Sequence, residues 1–354
     1  MMKFETKIVT LLMCVALSLL SSCNKKLPDT PVQEQQVPVG FRAMSQAVWV
    51  KSGETMFPYD DFGVWGIARQ GSNIYNLWGN DGLLKVEDLE HRVANNITTS
   101  TTQRVFTPTE AAYWIRDYDY NFLALAPYNP TGLSNVNFTL ADATGNTTGK
   151  DYMTFTYDMS SKYSGNIYDF DLLGAAAQSG PVAGGRTDSQ QLMFWHLFSQ
   201  ININVVFTND LEGKQITGEV TGIRLENVVS KGTYQMSHNT NNTLTALCTP
   251  STVSTDKKTL TFGSSPALFH IIPQDVTTMG LYLNFKINEG TADTPVWATY
   301  NDFHISLNVD GNANPYEANG RYNWKIKIGT GAAIKFEVVK VNPWENVNGG
   351  EITM

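Results

Sequence analysis

Basic residues are scarce in this chain: 25 lysines and arginines stand against 33 aspartates and glutamates, a net charge of −8. Charged residues together make up 16% of the 354 positions, where about a quarter is usual. Nucleic-acid binding draws on counterion release at a basic face, and no such face is visible, so that class of partner is excluded. Polybasic attachment to a membrane fails for the same reason. Cysteine is almost missing, with Cys14, Cys23 and Cys248 the whole complement. Histidines are few and scattered, at His91, His196, His238, His270 and His304, without the paired spacing of a zinc site. There is no His-Glu-x-x-His, Cys-x-x-Cys, Gly-x-Ser-x-Gly elbow or phosphate loop, so the reading is of no catalytic residues, no metal and no cofactor. No repeat recurs at 20–50 residues, which excludes a solenoid or propeller. Nor does any long stretch carry a helical period; Val86–Ala94 and Thr109–Trp114 have room for a turn or two each.

What is present begins with the one long apolar run, Ile8–Leu20, behind Lys3 and Lys7 and ahead of Leu20-Ser21-Ser22-Cys23. Thirteen residues are too few to span a bilayer, which needs about 20, but suit a signal-peptide core. Leu-Ser-Ser-Cys resembles the lipobox of Gram-negative lipoproteins. Residues 1–22 are therefore expected to be a signal peptide and Cys23 the lipidation site. That would tether the chain to a lipid membrane without a transmembrane helix. Cys14 would leave with the signal and Cys23 would be acylated, so Cys248 alone remains and no intrachain disulfide is expected. Residues 23–40 are polar and Pro-rich and read as a linker containing a removable strand.

The dominant period beyond this point is two. Ile201, Ile203, Val205 and Phe207 alternate with polar residues, as do Leu281, Leu283, Phe285 and Ile287, and Phe303, Ile305, Leu307 and Val309. Trp324, Ile326 and Ile328, then Ile334, Phe336 and Val338, repeat the pattern. These are half-buried antiparallel strands. Turn signals separate them at Asn80-Asp81-Gly82, Glu212-Gly213 and Asp310-Gly311-Asn312. Gly180-Pro181-Val182-Ala183-Gly184-Gly185-Arg186 lacks bulky apolar residues and reads as a hinge. The predicted fold is all-β: one sandwich over 41–180 and another over 187–354, with a tail at 332–354.

Several residues invite chemistry. Asp117, Asp119 and Asn121 open like a calcium loop, but Phe122 and Tyr128 stand where Gly and a bidentate Glu are required, and a strand exposing the three polar residues fits better. Asp169 and Asp171 would share a strand face roughly 7 Å apart, a spacing seen in glycosidase pairs; such pairs come from different strands facing across a cleft, so exposed strand carboxylates fit better. His196 sits in an apolar run and reads as a packed, hydrogen-bonded core residue, and Cys248 as a small buried one. Trp49, Trp65, Trp78, Trp297 and Trp344 are candidates for stacking on sugars or for filling a core.

A set of segments resembles the fimbrillin family, lipoprotein precursors of type V pili. It comprises Asp61-Phe62-Gly63-Val64-Trp65-Gly66, Tyr113-Trp114, Tyr120 through Tyr128, Asp171-Leu172-Leu173, Phe194 through Ile201, His270-Ile271-Ile272-Pro273-Gln274, and Ala318 through Trp324. The resemblance implies two transthyretin-like β-sandwich domains in tandem and assembly by strand exchange. A trypsin-like protease cuts after an arginine near the N-terminus, the first strand leaves, and a neighbour's strand fills the groove. Arg42 is the first arginine after Cys23 and follows Val37-Pro38-Val39-Gly40-Phe41, so Arg42-Ala43 is the expected cleavage bond. Ile334, Phe336, Val338, Val341 and Trp344 are the donor-strand candidates, and can equally belong to the last strand of the second sandwich. The expected function is a non-enzymatic structural and adhesive pilus subunit. It would be exported to the outer membrane as a surface lipoprotein, with other subunits or further copies, a processing protease and a surface glycan or protein as partners. The alternative is a glycan-binding surface lipoprotein.

Overall fold

The computed structural model describes residues 37–45, 57–78, 83–89, 104–181, 188–207, 217–239, 243–307, 316–329 and 334–341. Cys23, Trp49 and Trp344 lie outside them, as do the three turn signals named above. Among the described residues the chain is almost entirely strand, numbered here in chain order. A short α-helix, α1 (Ser160–Ser164), and two single 3-10 turns, Ser254–Asp256 and Val276–Thr278, interrupt it.

The first sheet closes on itself. Its ring runs β2 (Asp61–Gln70), β4 (Leu84–Asp88), β5 (Arg104–Pro108), β1 (Phe41–Ser45), β10 (Gln190–His196), β9 (Leu173–Ser179), β6 (Asp119–Ala126) and back to β2. β3 (Asn73–Asn76) pairs with the remaining length of β2. Closure removes the free edges that would otherwise template aggregation. One face of each strand points into a core that includes Phe41, Phe57, Phe62, Phe106, Phe122 and Phe194. On β2 and β6 the opposite face, with Trp65, Ile67, Leu123 and Leu125, is buried in a second cluster shared with the other sheets. β2 is buried at seven consecutive positions for this reason, and so lacks the alternation of a one-faced strand.

Three four-stranded sheets complete the fold. β7 (Leu133–Thr139) and β8 (Tyr152–Asp158) join β13 (Lys231–His238) and β14 (Leu244–Pro250) in the order β14-β13-β8-β7. β16 (Ala267–Ile271), β11 (Ser199–Phe207), β19 (Arg321–Ile328) and β20 (Ile334–Val341) form a sheet in that order. The last contains β15 (Lys257–Phe262), β12 (Gly218–Val229), β17 (Gly280–Asn288) and β18 (Trp297–Ser306). Alternate residues of β11, β17 and β19 enter one core, as their period predicts. Three pairings cross the 182–187 segment: β10 pairs with β1 and β9 in the ring, and β13 pairs with β8. The turn expected at Val86–Ala94 begins in strand β4, and residues 90–94 are outside the described set.

Gly132 shows what one tight approach demands. Its φ is +105°, and an added Cβ would stand 2.3 Å from the Asp158 carbonyl oxygen. Only glycine fits such a position without backbone movement.

Candidate functional site: the β1 seam

β1 is five residues long and lies between two strands of opposite direction. It pairs antiparallel to β5 over three residues and parallel to β10 over five. Ala43 faces Arg104 on one side and Leu192 on the other, and Phe41 faces Phe106 and Gln190. The approach to the strand is also fixed, since the Val39 amide donates to the Ala112 carbonyl at 2.8 Å and the Gln190 amide to the Gly40 carbonyl at 2.8 Å.

Val39, Phe41 and Ala43 point inward and are fully or almost fully buried. Phe41 is held by aromatic edges, 5.2 Å from Phe122, 6.0 Å from Phe62 and 6.2 Å from Trp78 between ring centres. Arg42 points outward and is exposed, yet its backbone sits in register between Val105 and Gln191. A protease takes its substrate as an extended segment with free backbone groups. The Arg42-Ala43 bond therefore meets that need only when β1 loosens from β5 and β10.

The walls of the seam stand independently of β1. β10 is paired to β9 and β5 to β4. β5 is further fixed by Arg104, whose Nε donates to Asp88 Oδ2 at 2.5 Å, Nη1 to the Phe57 carbonyl at 3.1 Å and Nη2 to Asp60 Oδ1 at 2.8 Å. The Asp88 side chain is fully buried, so this guanidinium neutralises a charge that has no access to water. Withdrawing β1 would leave a slot with two unpaired edges and an apolar floor.

The other sequence candidates fall elsewhere. β20, carrying Ile334, Phe336, Val338 and Val341, is the edge strand of its sheet and pairs antiparallel with β19 from Ile328–Ile334 to Arg321–Val341. Asp119 opens β6 exposed and Tyr120 is buried, as a strand requires, while Asp117 precedes it with φ +63°. Asn121 donates to Asp151 Oδ2 at 2.5 Å, a carboxylate that also accepts from Arg69 at 2.5 Å. Trp65 stacks on Phe138 at 4.8 Å and fills core, whereas Trp297 is 44% exposed beneath Lys286. Cys248 is partly buried, and burial pushes its thiol up to about 12, which keeps it protonated at neutral pH.

One convergence escaped the sequence. Asp169 and Asp171 lie before β9, not on a strand, and Asp171 is bonded to His196 Nδ1. The Tyr59 hydroxyl donates to the Asp171 carbonyl at 2.6 Å, and Gln200 meets His270 Nε2 at 3.2 Å. His196, as expected, is a packed, bonded core residue. Burial pulls His270 below its ordinary pKa, with His196 adding to the effect and Asp171 opposing it. His238 is lowered by burial too. Asp171 is held below the usual carboxylate value: burial pushes it up, but His196, His270 and the hydrogen bonds outweigh that.

The pH dependence follows. An unfolded chain takes up its histidine protons near pH 6.5, before the folded His270 and His238 do. Stability should be full above that value and fall as pH drops through it. Asp171 adds a further loss below about pH 4, once its carboxylate protonates. Urea midpoints measured between pH 7.5 and 5 should decline, and His270→Gln should flatten the decline.

The sequence matches the family model described as fimbrillin-like over residues 53–344. The chain belongs to the fimbrillin-like family. Solved structures share the fold. A fimbrial protein of Bacteroides vulgatus is 17% identical with a TM-score of 0.52, the match covering 87% of this chain and 99% of that one. A candidate cell adhesion protein of Bacteroides uniformis is also 17% identical, at a TM-score of 0.51 over 88% of this chain and 99% of that one. No curated protein matches the sequence.

Proposed function

We propose that this fimbrillin-like chain is a structural and adhesive subunit of a cell-surface pilus. In this reading it is exported as an outer-membrane lipoprotein through Cys23, organised as two sandwich domains, and assembled by strand exchange at the β1 seam. The observation that carries the reading is the seam itself: one short strand fills an aromatic slot whose two walls are each held by a further strand. Cutting after Arg42 would remove the Phe41 anchor and leave Ala43–Ser45 with too little apolar area to keep the slot closed. An open slot exposes apolar surface and unpaired edges, and an inserted strand satisfies both.

The donor pattern is written in the chain. Val39-Gly40-Phe41-Arg42-Ala43 places apolar residues at alternate positions around a central phenylalanine, and Ile334-Lys335-Phe336-Glu337-Val338 has the same spacing. A neighbour's tail in this register would put Phe336 where Phe41 sat, with Lys335 and Glu337 facing water. Phe336→Asp should therefore leave cleavage at Arg42 intact while abolishing association of cleaved copies, read by size-exclusion chromatography. Association that survives Phe336→Asp would exclude this register.

A further inference from the structure

The β14-β13-β8-β7 sheet has two unlike faces. Phe155 and Tyr234 stack at 5.0 Å on its inner face, beside Met153 and Met236, all fully or nearly fully buried. Its outer face is a lattice of uncharged hydrogen-bonding side chains fixed by strand register. One row runs Ser134, Thr156, Thr233, Thr249 across all four strands, with Thr156 itself buried and the other three exposed. The next runs Asn137, Thr154, Gln235, Leu247. Tyr152 stands in the third row between Thr139 and Ser237. A single charged row, Lys231 opposite Asp158, closes one end.

The chemistry narrows the occupant. A protein partner needs an apolar centre, and interface cores are poor in serine and threonine; here Leu247, 64% exposed, and Tyr152 are the only large apolar groups. An anionic polymer needs cations, and Lys231 is matched by Asp158. Hydroxyls and carboxamides both donate and accept, as do the hydroxyls of an uncharged sugar, whose C–H faces suit the tyrosine ring. Spacings of about 4.8 Å between strands and roughly 7 Å along them make the array periodic, like a polymer of repeating units. The buried inner face fixes the register, so little ordering is lost on binding.

We propose that this face docks a neutral polysaccharide laid across the four strands. The inference rests on the adhesive reading above and gives it a ligand class. The test is affinity electrophoresis of the mature chain through native gels containing soluble mannan or β-glucan, with heparin in parallel. Wild type should be retarded by at least one neutral polysaccharide, and Thr154→Glu/Gln235→Glu should weaken that at least tenfold. Thr154 and Gln235 are half-exposed and directly opposite in register, so the facing glutamates repel and should lower the melting point. Gln235→Ala, which adds no charge and should leave melting nearly unchanged, should show a smaller loss of retardation in the same direction. Three results would overturn the proposal: no retardation by either neutral polysaccharide, stronger retardation by heparin, or equal retardation of the double variant. Self-association abolished by the double variant would assign the face to a second copy instead. Protease-driven assembly is read separately, so a gel without retardation leaves the pilus reading standing and removes only this one.

Discussion

Truncating Phe41 to alanine is expected to cost about 3–5 kcal/mol of stability, the range for a fully buried aromatic. Its ring touches three others and is closed off from water, so the vacated volume cannot be filled by a small shift. Arg42→Ala, one residue along, removes an exposed side chain and should leave the urea midpoint unchanged. The contrast separates what β1 contributes by packing from what it offers a protease. Urea denaturation of both variants gives the loss, and Trp78, with its ring 6.2 Å from Phe41, is one of the eight tryptophans that contribute to the fluorescence signal. The same substitution should speed cutting at Arg42, since β1 opens more often once its anchor is gone. Equal cutting rates in Phe41→Ala and wild type would mean that release of β1 does not limit cleavage.

Arg104→Ala should be comparably damaging, about 3–5 kcal/mol, because it leaves the enclosed Asp88 carboxylate without its cation. Asp60 and the Phe57 carbonyl would lose a donor as well. Arg104 faces Ala43 across the β1–β5 pair, so the damage lies in the wall of the slot. Replacing both charges, as in Arg104→Met/Asp88→Leu, removes the desolvated pair together and should recover most of the loss. Chemical denaturation of the single and double variants gives both values. A double variant no better than Arg104→Ala would show that the hydrogen bonds to Phe57 and Asp60, not the charge pair, hold β5 in place.

The strands with one wet face were legible in the sequence. The alternations at 201–207, 281–287 and 324–328 become β11, β17 and β19 because each buries one side and exposes the other. β2 and β9 are buried on both sides, which erases the period. What no local pattern carries is pairing between distant segments, such as β1 beside β10, nearly 150 positions later, or the β2–β6 contact that closes the ring. For the same reason the sequence pairs Asp171 with Asp169 and leaves His196 and His270 scattered; Asp171, His196 and His270 meet only once β9, β10 and β16 are in place. Arg42 was legible as an exposed arginine, but the strands on either side of its backbone were not. α1 is a single turn of five residues, three of them serines and with no acidic residue in its first turn, too short to show a period.

The most direct test is to treat the mature protein with a limiting amount of arginine-specific protease and follow intact mass and size-exclusion profile together. Strand exchange at the seam predicts one cut after Arg42, loss of the segment ending there, and oligomers that grow as the cut form accumulates. Resistance at Arg42, or a clean cut that leaves a stable monomer, would contradict it.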